Sequence, residues 1–140
     1  MHTTELRTQN VDLGKLVIRS ALAILVLLHG IAKLTGGIDF ITGMVANFGL
    51  PSFFAYFVYI GEVVAPVLVL IGLWTRAAAM IMAINMIMAI VLVHMPELGQ
   101  LNKMGGWALE LQGMFLFGAI AVALLGAGRY SVGGINGKWN

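Results

Sequence analysis

The chain has 140 residues, 60% of them hydrophobic and 10% charged, with a formal net charge of +2 and no cysteine. Ordinary soluble domains carry about 25% charged residues, so this deficit, with a mean hydropathy of +0.95, points to a membrane protein of one domain. The missing cysteines exclude disulfide exchange, thiolate catalysis and Cys-ligated zinc or iron–sulfur centres within this chain. So small a charge, with no basic and aromatic patch, argues for no nucleic-acid binding.

The opening MHTTELRTQNVDLGK is polar and of mixed charge. It lacks the short basic start and the small-residue cleavage site of a signal peptide, and is expected to stay on the mature protein. A bilayer core about 30 Å thick takes about 20 mostly apolar residues per helix. Residues 13–34, 52–73, 77–95 and 107–125 meet that requirement. Stretches such as AAAMIMAINMIMAIVLVHM and FLFGAIAVALLGAG show almost no polar stripe at helical period, unlike the helices of a soluble bundle. The expected architecture is all-α: a single domain, 1–140, forming an integral membrane four-helix bundle that runs up-down-up-down.

In the first expected span, Arg19, His29 and Lys33 fall within an arc of roughly 80° on a helix, so one face is polar. The connection TGGIDFITGMVANFGLPS follows. Ile38, Ile41, Met44, Val45 and Phe48 recur at helical spacing, and Asp39 is placed to cap a helix start. A short interfacial helix on the outer membrane surface is expected there. The second span carries Glu62 near its middle, with Pro66 one turn later on the same face. A proline there frees a backbone carbonyl and can bend the helix.

The third span holds His94 near its outer end and Asn85 about 180° around from it in a straight helix. Its methionines, Met80, Met82, Met86, Met88 and Met95, cover several faces and suit adaptable packing rather than soft-metal binding. The fourth span opens with Glu110, and Gln112 lies about 200° away from it. Arg7, Lys15, Arg19, Arg76, Arg129 and Lys138 fall on one side of the expected membrane, against Lys33 and Lys103 on the other. That asymmetry places both termini of the multi-pass chain in the cytoplasm.

Ionisable groups inside a span cost about 2.5–3.5 kcal/mol each on insertion scales, so they face the interior and find partners. Polar contacts that merely glue helices together average about 0.6 kcal/mol, which is small beside that cost. Glu62, His29 and Lys33 are therefore the candidate catalytic residues, and Glu110 and His94 the candidate substrate-binding residues. No metal site is expected and no cofactor-binding residue is assigned. His29 and His94 are of the right type to be axial haem ligands, although no attachment motif accompanies them.

The pieces HGIAKL, GEVVAPVLVLIGLWTR, a histidine ending the third span, GGWALELQGMF and GAGRYSV, in this order, give the chain a specific likeness. From about residue 16 to 132 it resembles the DoxX family of small four-span membrane proteins. The resemblance implies a four-helix bundle in the bacterial inner (plasma) membrane that works with redox systems. Relatives include the membrane subunit of a thiosulfate:quinone oxidoreductase, and a member associated with superoxide dismutase and a thiol-oxidising partner. The family-matching positions are His29, Gly30, Lys33, Glu62, Gly72, Arg76, Glu110, Gly126, Gly128, Arg129 and Tyr130.

Three functions compete. The first is a quinone-linked oxidoreductase subunit, with quinone as the bound redox partner. Glu62, His29 and Lys33 would relay protons from the outer side, and a partner enzyme would supply electrons, since no flavin, nicotinamide or metal motif is present. The second is a non-catalytic scaffold docking soluble or membrane redox enzymes through the tail GRYSVGGINGKWN and the turn at Arg76. The third, a small transporter, needs a homo-oligomer to build a pathway.

Overall fold

The computed structural model describes residues 2–140. Among them there is no β-strand, and the one strand-like contact is an isolated bridge between Leu101 and Trp107. Helix α1, His2–Gly36, is 35 residues long. It begins well before residue 13 because the polar opening contains no proline and Glu5 complements the dipole of the first turn. At 1.5 Å per residue it is about 50 Å long, more than a bilayer core needs. Gly37, at φ +85°, ends it.

Helix α2, Asp39–Asn47, forms where the helical spacing predicts it. Asp39 is not its cap. Ile38 occupies that position without a side-chain hydrogen bond, and Asp39 stands in the first turn, where its charge acts on the helix dipole instead. Ile38 and Val45 are buried against Ala55 and packed by Val58, Tyr59 and Leu92. Phe40 and Phe48 face outward. The helix is thus a shelf over the ends of its neighbours.

Helix α3 spans Ser52–Ile71 and helix α4 spans Thr75–Glu97, and both are long and apolar enough to cross a membrane. Gly72, left-handed at φ 75°, closes α3, and the chain turns through Trp74 into α4. Helix α5, Glu110–Leu125, is shorter than the expected fourth span. Trp107 is held outside it: its backbone bridges Leu101, and its indole N–H donates to the Leu98 carbonyl at 2.8 Å. Each of α1 and α4 packs against both α3 and α5.

The burial pattern inverts that of a soluble protein. The shared core is rich in small residues: Ala23 from α1, Ala65 from α3, Ala78, Ala79 and Ala83 from α4, and Ala119 from α5. Large apolar side chains point outward, among them Leu28, Ile84, Phe117 and Leu124. Helices in lipid gain nothing by hiding leucine, so they approach on small residues and leave the bulk to the acyl chains. Met82 and Met86 join the core while Met80, Met88 and Met95 face out, as a packing role requires.

Candidate functional site

Glu62 is set by a break in helical regularity. Pro66 has no N–H to give the carbonyl of Glu62, four residues before it. Residues Ile60–Val64 form a π-helical turn at that point, with the Ala65 N–H reaching back to the Ile60 carbonyl. The turn leaves Glu62 only 6% exposed. Its Oε2 accepts from the Lys33 ammonium, and its Oε1 accepts from the Asn85 amide at 3.3 Å. Tyr59 donates its hydroxyl to the Lys33 carbonyl at 3.2 Å, steadying the last turn of α1.

Two glycines let the helices close around this pair. A Cβ on Gly30 would collide with the Glu62 carbonyl, and one on Gly61 with the Asn85 side chain. Close approach of α1 and α4 to α3 therefore depends on both. The cost of burying two charges is offset only when their geometry is good and their remaining groups are bonded. Here the carboxylate has a partner on each oxygen.

A second π-helical turn, Ile90–His94, explains how α4 serves the site twice. In a straight helix Asn85 and His94 oppose each other. One residue taken up by the π turn removes about one 100° step and leaves them about 80° apart. Asn85 bonds Glu62, and His94 lines a cavity of about 140 Å³ with Glu62, Lys33 and His29. Val26, Met86, Ala89, Leu111, Gln112 and Phe115 complete the wall. His29 packs edge-on to Phe115, 5.7 Å between centroids, and is itself exposed, so the cavity's open edge lies where α1 meets α5.

His94 is held from both ring nitrogens. Nδ1 lies 3.1 Å from Glu97 Oε2, and Nε2 lies 3.2 Å from Gln112 Nε2. With the Gln112 amide donating, the network assigns the proton of the neutral ring to Nδ1 and leaves Nε2 as the acceptor on the cavity side.

The structure thus brings His29, Lys33, Glu62 and His94 to one cavity. Glu110 is not among them. It occupies the first turn of α5, exposed, and accepts from the Asn102 amide at 3.3 Å in the preceding connection. Gln112, on the far side of the helix from it, takes the cavity instead. Arg19 is also elsewhere. It is 2% exposed and donates to the carbonyls of Val69, Leu70 and Tyr130, away from the cavity. Glu97 was legible as a carboxylate three residues after His94, whereas nothing in the local pattern marks Tyr59. Among the described residues, no three His, Asp or Glu side chains gather closely enough to hold a metal ion.

Apolar helices of bilayer length, an outward-facing apolar surface and a charged pair held inside define a small helical membrane protein. The chain belongs to the DoxX family, whose model matches residues 14–95. That match takes in Lys33, Glu62, Asn85 and His94 and stops before Gln112. The chain is 33% identical over 84 residues to "Putative oxidoreductase CatD" of Bacillus subtilis (strain 168). The alignment covers 60% of this chain and 62% of that relative, so the chain spans less than two thirds of the relative it matches. No solved structure matches it.

Proposed function

We propose that this chain is the quinone-linked membrane subunit of an oxidoreductase. In this reading its long helices form a four-span bundle in a bacterial inner membrane, with both termini cytoplasmic. The observation that carries it is the pair of buried Glu62 with partly buried Lys33, facing a small cavity with an exposed edge at His29. A cavity of about 150 Å³ accepts one benzene ring. The 140 Å³ here suits a single quinone ring, with its isoprenoid tail leaving between α1 and α5 toward lipid. The oxidoreductase name of the Bacillus relative supports a redox setting.

Reducing a quinone to a quinol takes two electrons and two protons. The electrons come from a partner oxidoreductase. The chain's own part is to hold the ring and deliver protons to its two oxygens. Lys33 presents an ammonium next to Glu62, and His94 presents a ring nitrogen whose far side is bonded to the half-exposed Glu97. The pair that ends in half-exposed Glu97 connects to the outer side, and the pair that ends in buried Glu62 sets the charge inside.

Gentle extraction from the membrane, followed by mass spectrometry and an optical spectrum, tests this reading. Quinone should co-purify with the wild type and be lost in Glu62→Gln, together with the redox phenotype. Quinone-free protein whose Glu62→Gln variant keeps that phenotype would rule the proposal out.

A further inference from the structure

A second cavity, about 400 Å³, lies at the other end of the same helices. Its walls come from the early turns of α1, the start of α4, the end of α5 and the tail. Arg7, Val11 and Lys15 are spaced by four and share one face of α1. Arg76 faces them from α4. Its Nε and Nη1 are committed to the carbonyls of Asn140, Ala123 and Leu124, while its Nη2 makes no hydrogen bond among the described residues.

Cations outnumber acids among the side chains of this wall. Its one acidic side chain, Asp12, is buried and lies 3.0 Å from the Arg129 guanidinium, with the Arg129 N–H on its other oxygen at 3.4 Å. Asp12 is therefore spent on the tail. Gly128, left-handed at φ +76°, permits that contact, because a Cβ there would press on Asp12 and Lys15. Among the described residues neither Arg7 nor Lys15 makes an ion pair. The rest of the wall is apolar, with Val11, Leu125 and Ile135 exposed beside the cations. Cations at the base and apolar side chains at the rim are the two halves of an amphiphile's complement.

We infer that this cavity binds an anionic phosphate group between Arg7, Lys15 and Arg76, with Val11 and Leu125 placed to line an acyl chain where the phosphate is a lipid's. The inference is independent of the quinone reading, because it uses none of the residues around Glu62. The source of the phosphate is a lipid headgroup or a soluble phosphate, and the experiment separates them.

The purified, delipidated chain is offered phosphatidylglycerol or phosphatidylcholine with the same acyl chains, and lipid retention is read by native mass spectrometry. Inorganic phosphate is titrated in parallel. Phosphatidylglycerol should be retained preferentially, and Arg7→Gln with Lys15→Gln should weaken it about five-fold each. Lys138→Gln, a cation at the same end outside the cavity wall, should leave retention unchanged. Phosphate binding that depends on Arg7 and Lys15 without lipid preference would support the same site with a soluble ligand. If the double variant fails to fold, protection of Lys15 in the wild type from an acylating reagent by phosphatidylglycerol or phosphate replaces it. Equal retention of both lipids without phosphate binding, an equal loss in Lys138→Gln, or no protection of Lys15 would overturn the inference.

Discussion

Helix α1 turns a cation toward its neighbours near each end of its apolar stretch, Arg19 buried and Lys33 partly buried, and the two are treated differently. Arg19 is surrounded by backbone: it ties the last turn of α3 and the tail together through the carbonyls of Val69, Leu70 and Tyr130. Lys33 meets a carboxylate beside an open cavity. A guanidinium among neutral carbonyls has no proton to exchange and no space for a ligand, so it works as a clamp. An ammonium paired with a carboxylate at a cavity can pass a proton. An ionisable group inside a membrane helix is thus not a functional signal by itself. What distinguishes the two is the partner and the empty space next to it.

The contrast breaks most sharply at Arg19. Arg19→Ala removes a buried charge, opens a void and leaves three carbonyls without donors. We expect a loss of about 3–5 kcal/mol, or failure to fold, in thermal unfolding of the detergent-solubilised protein. Arg19→Lys should recover little, since one compact ammonium does not span carbonyls on two segments. Wild-type stability in either variant would show that the clamp is idle.

At the other end, stability and function should separate. Lys33→Met leaves Glu62 buried and unpaired, with an expected loss of about 3–5 kcal/mol. Adding Glu62→Leu removes the second charge as well, and most of the stability should return. Quinone retention and the redox phenotype should stay absent in the double variant. Recovery of both would mean that the pair is interhelical glue.

Much of this contrast is legible in sequence, but not its cause. All-round apolarity reveals bilayer-length helices, and the polar arc on α1 anticipates that Arg19 and Lys33 turn toward the other helices, whereas His29 on the same arc is exposed at the cavity's edge. The family match then carries Glu62 and His94 with it. What sequence periodicity misjudges are the breaks in helical phase. Angles of 100° per residue place Asn85 and His94 on opposite faces, and only the π turn at Ile90–His94 brings them together. Likewise α5 begins at Glu110 rather than Trp107, because a bridge to Leu101 and an indole hydrogen bond to Leu98 hold Trp107 in the connection. Such contacts carry no helical periodicity. The clamp role of Arg19 was hidden for the same reason: its partners are carbonyls, which carry no sequence signature.

Gly30 offers a subtler probe of the Lys33 end. Gly30→Ala pushes a methyl group into the Glu62 carbonyl, so α1 and α3 must separate. Overpacking of this kind costs about 1–3 kcal/mol. If close approach matters for the pair, quinone retention should fall further than stability does, compared with a variant at Gly14, where a Cβ meets nothing. Equal effects from Gly30→Ala and Gly14→Ala would remove the argument.

The smallest expected effect comes from comparing two residues on α5. Glu110 is the more conspicuous in sequence, being charged, yet it opens α5 outside the cavity and its carboxylate accepts from Asn102 in the connection. Gln112 is neutral and bonded to His94 at the cavity wall. Glu110→Gln keeps the hydrogen-bonding shape and loses only an exposed charge near a helix start, so stability should change by less than about 1 kcal/mol. Gln112→Leu is nearly isosteric but removes the donor that holds His94 Nε2. Nitrogen NMR of the His94 ring reads the difference directly. The ring signals should be unmoved in Glu110→Gln and shifted in Gln112→Leu. A shift in Glu110→Gln alone would return Glu110 to the site and place the cavity's outer wall one residue face away from where the geometry puts it.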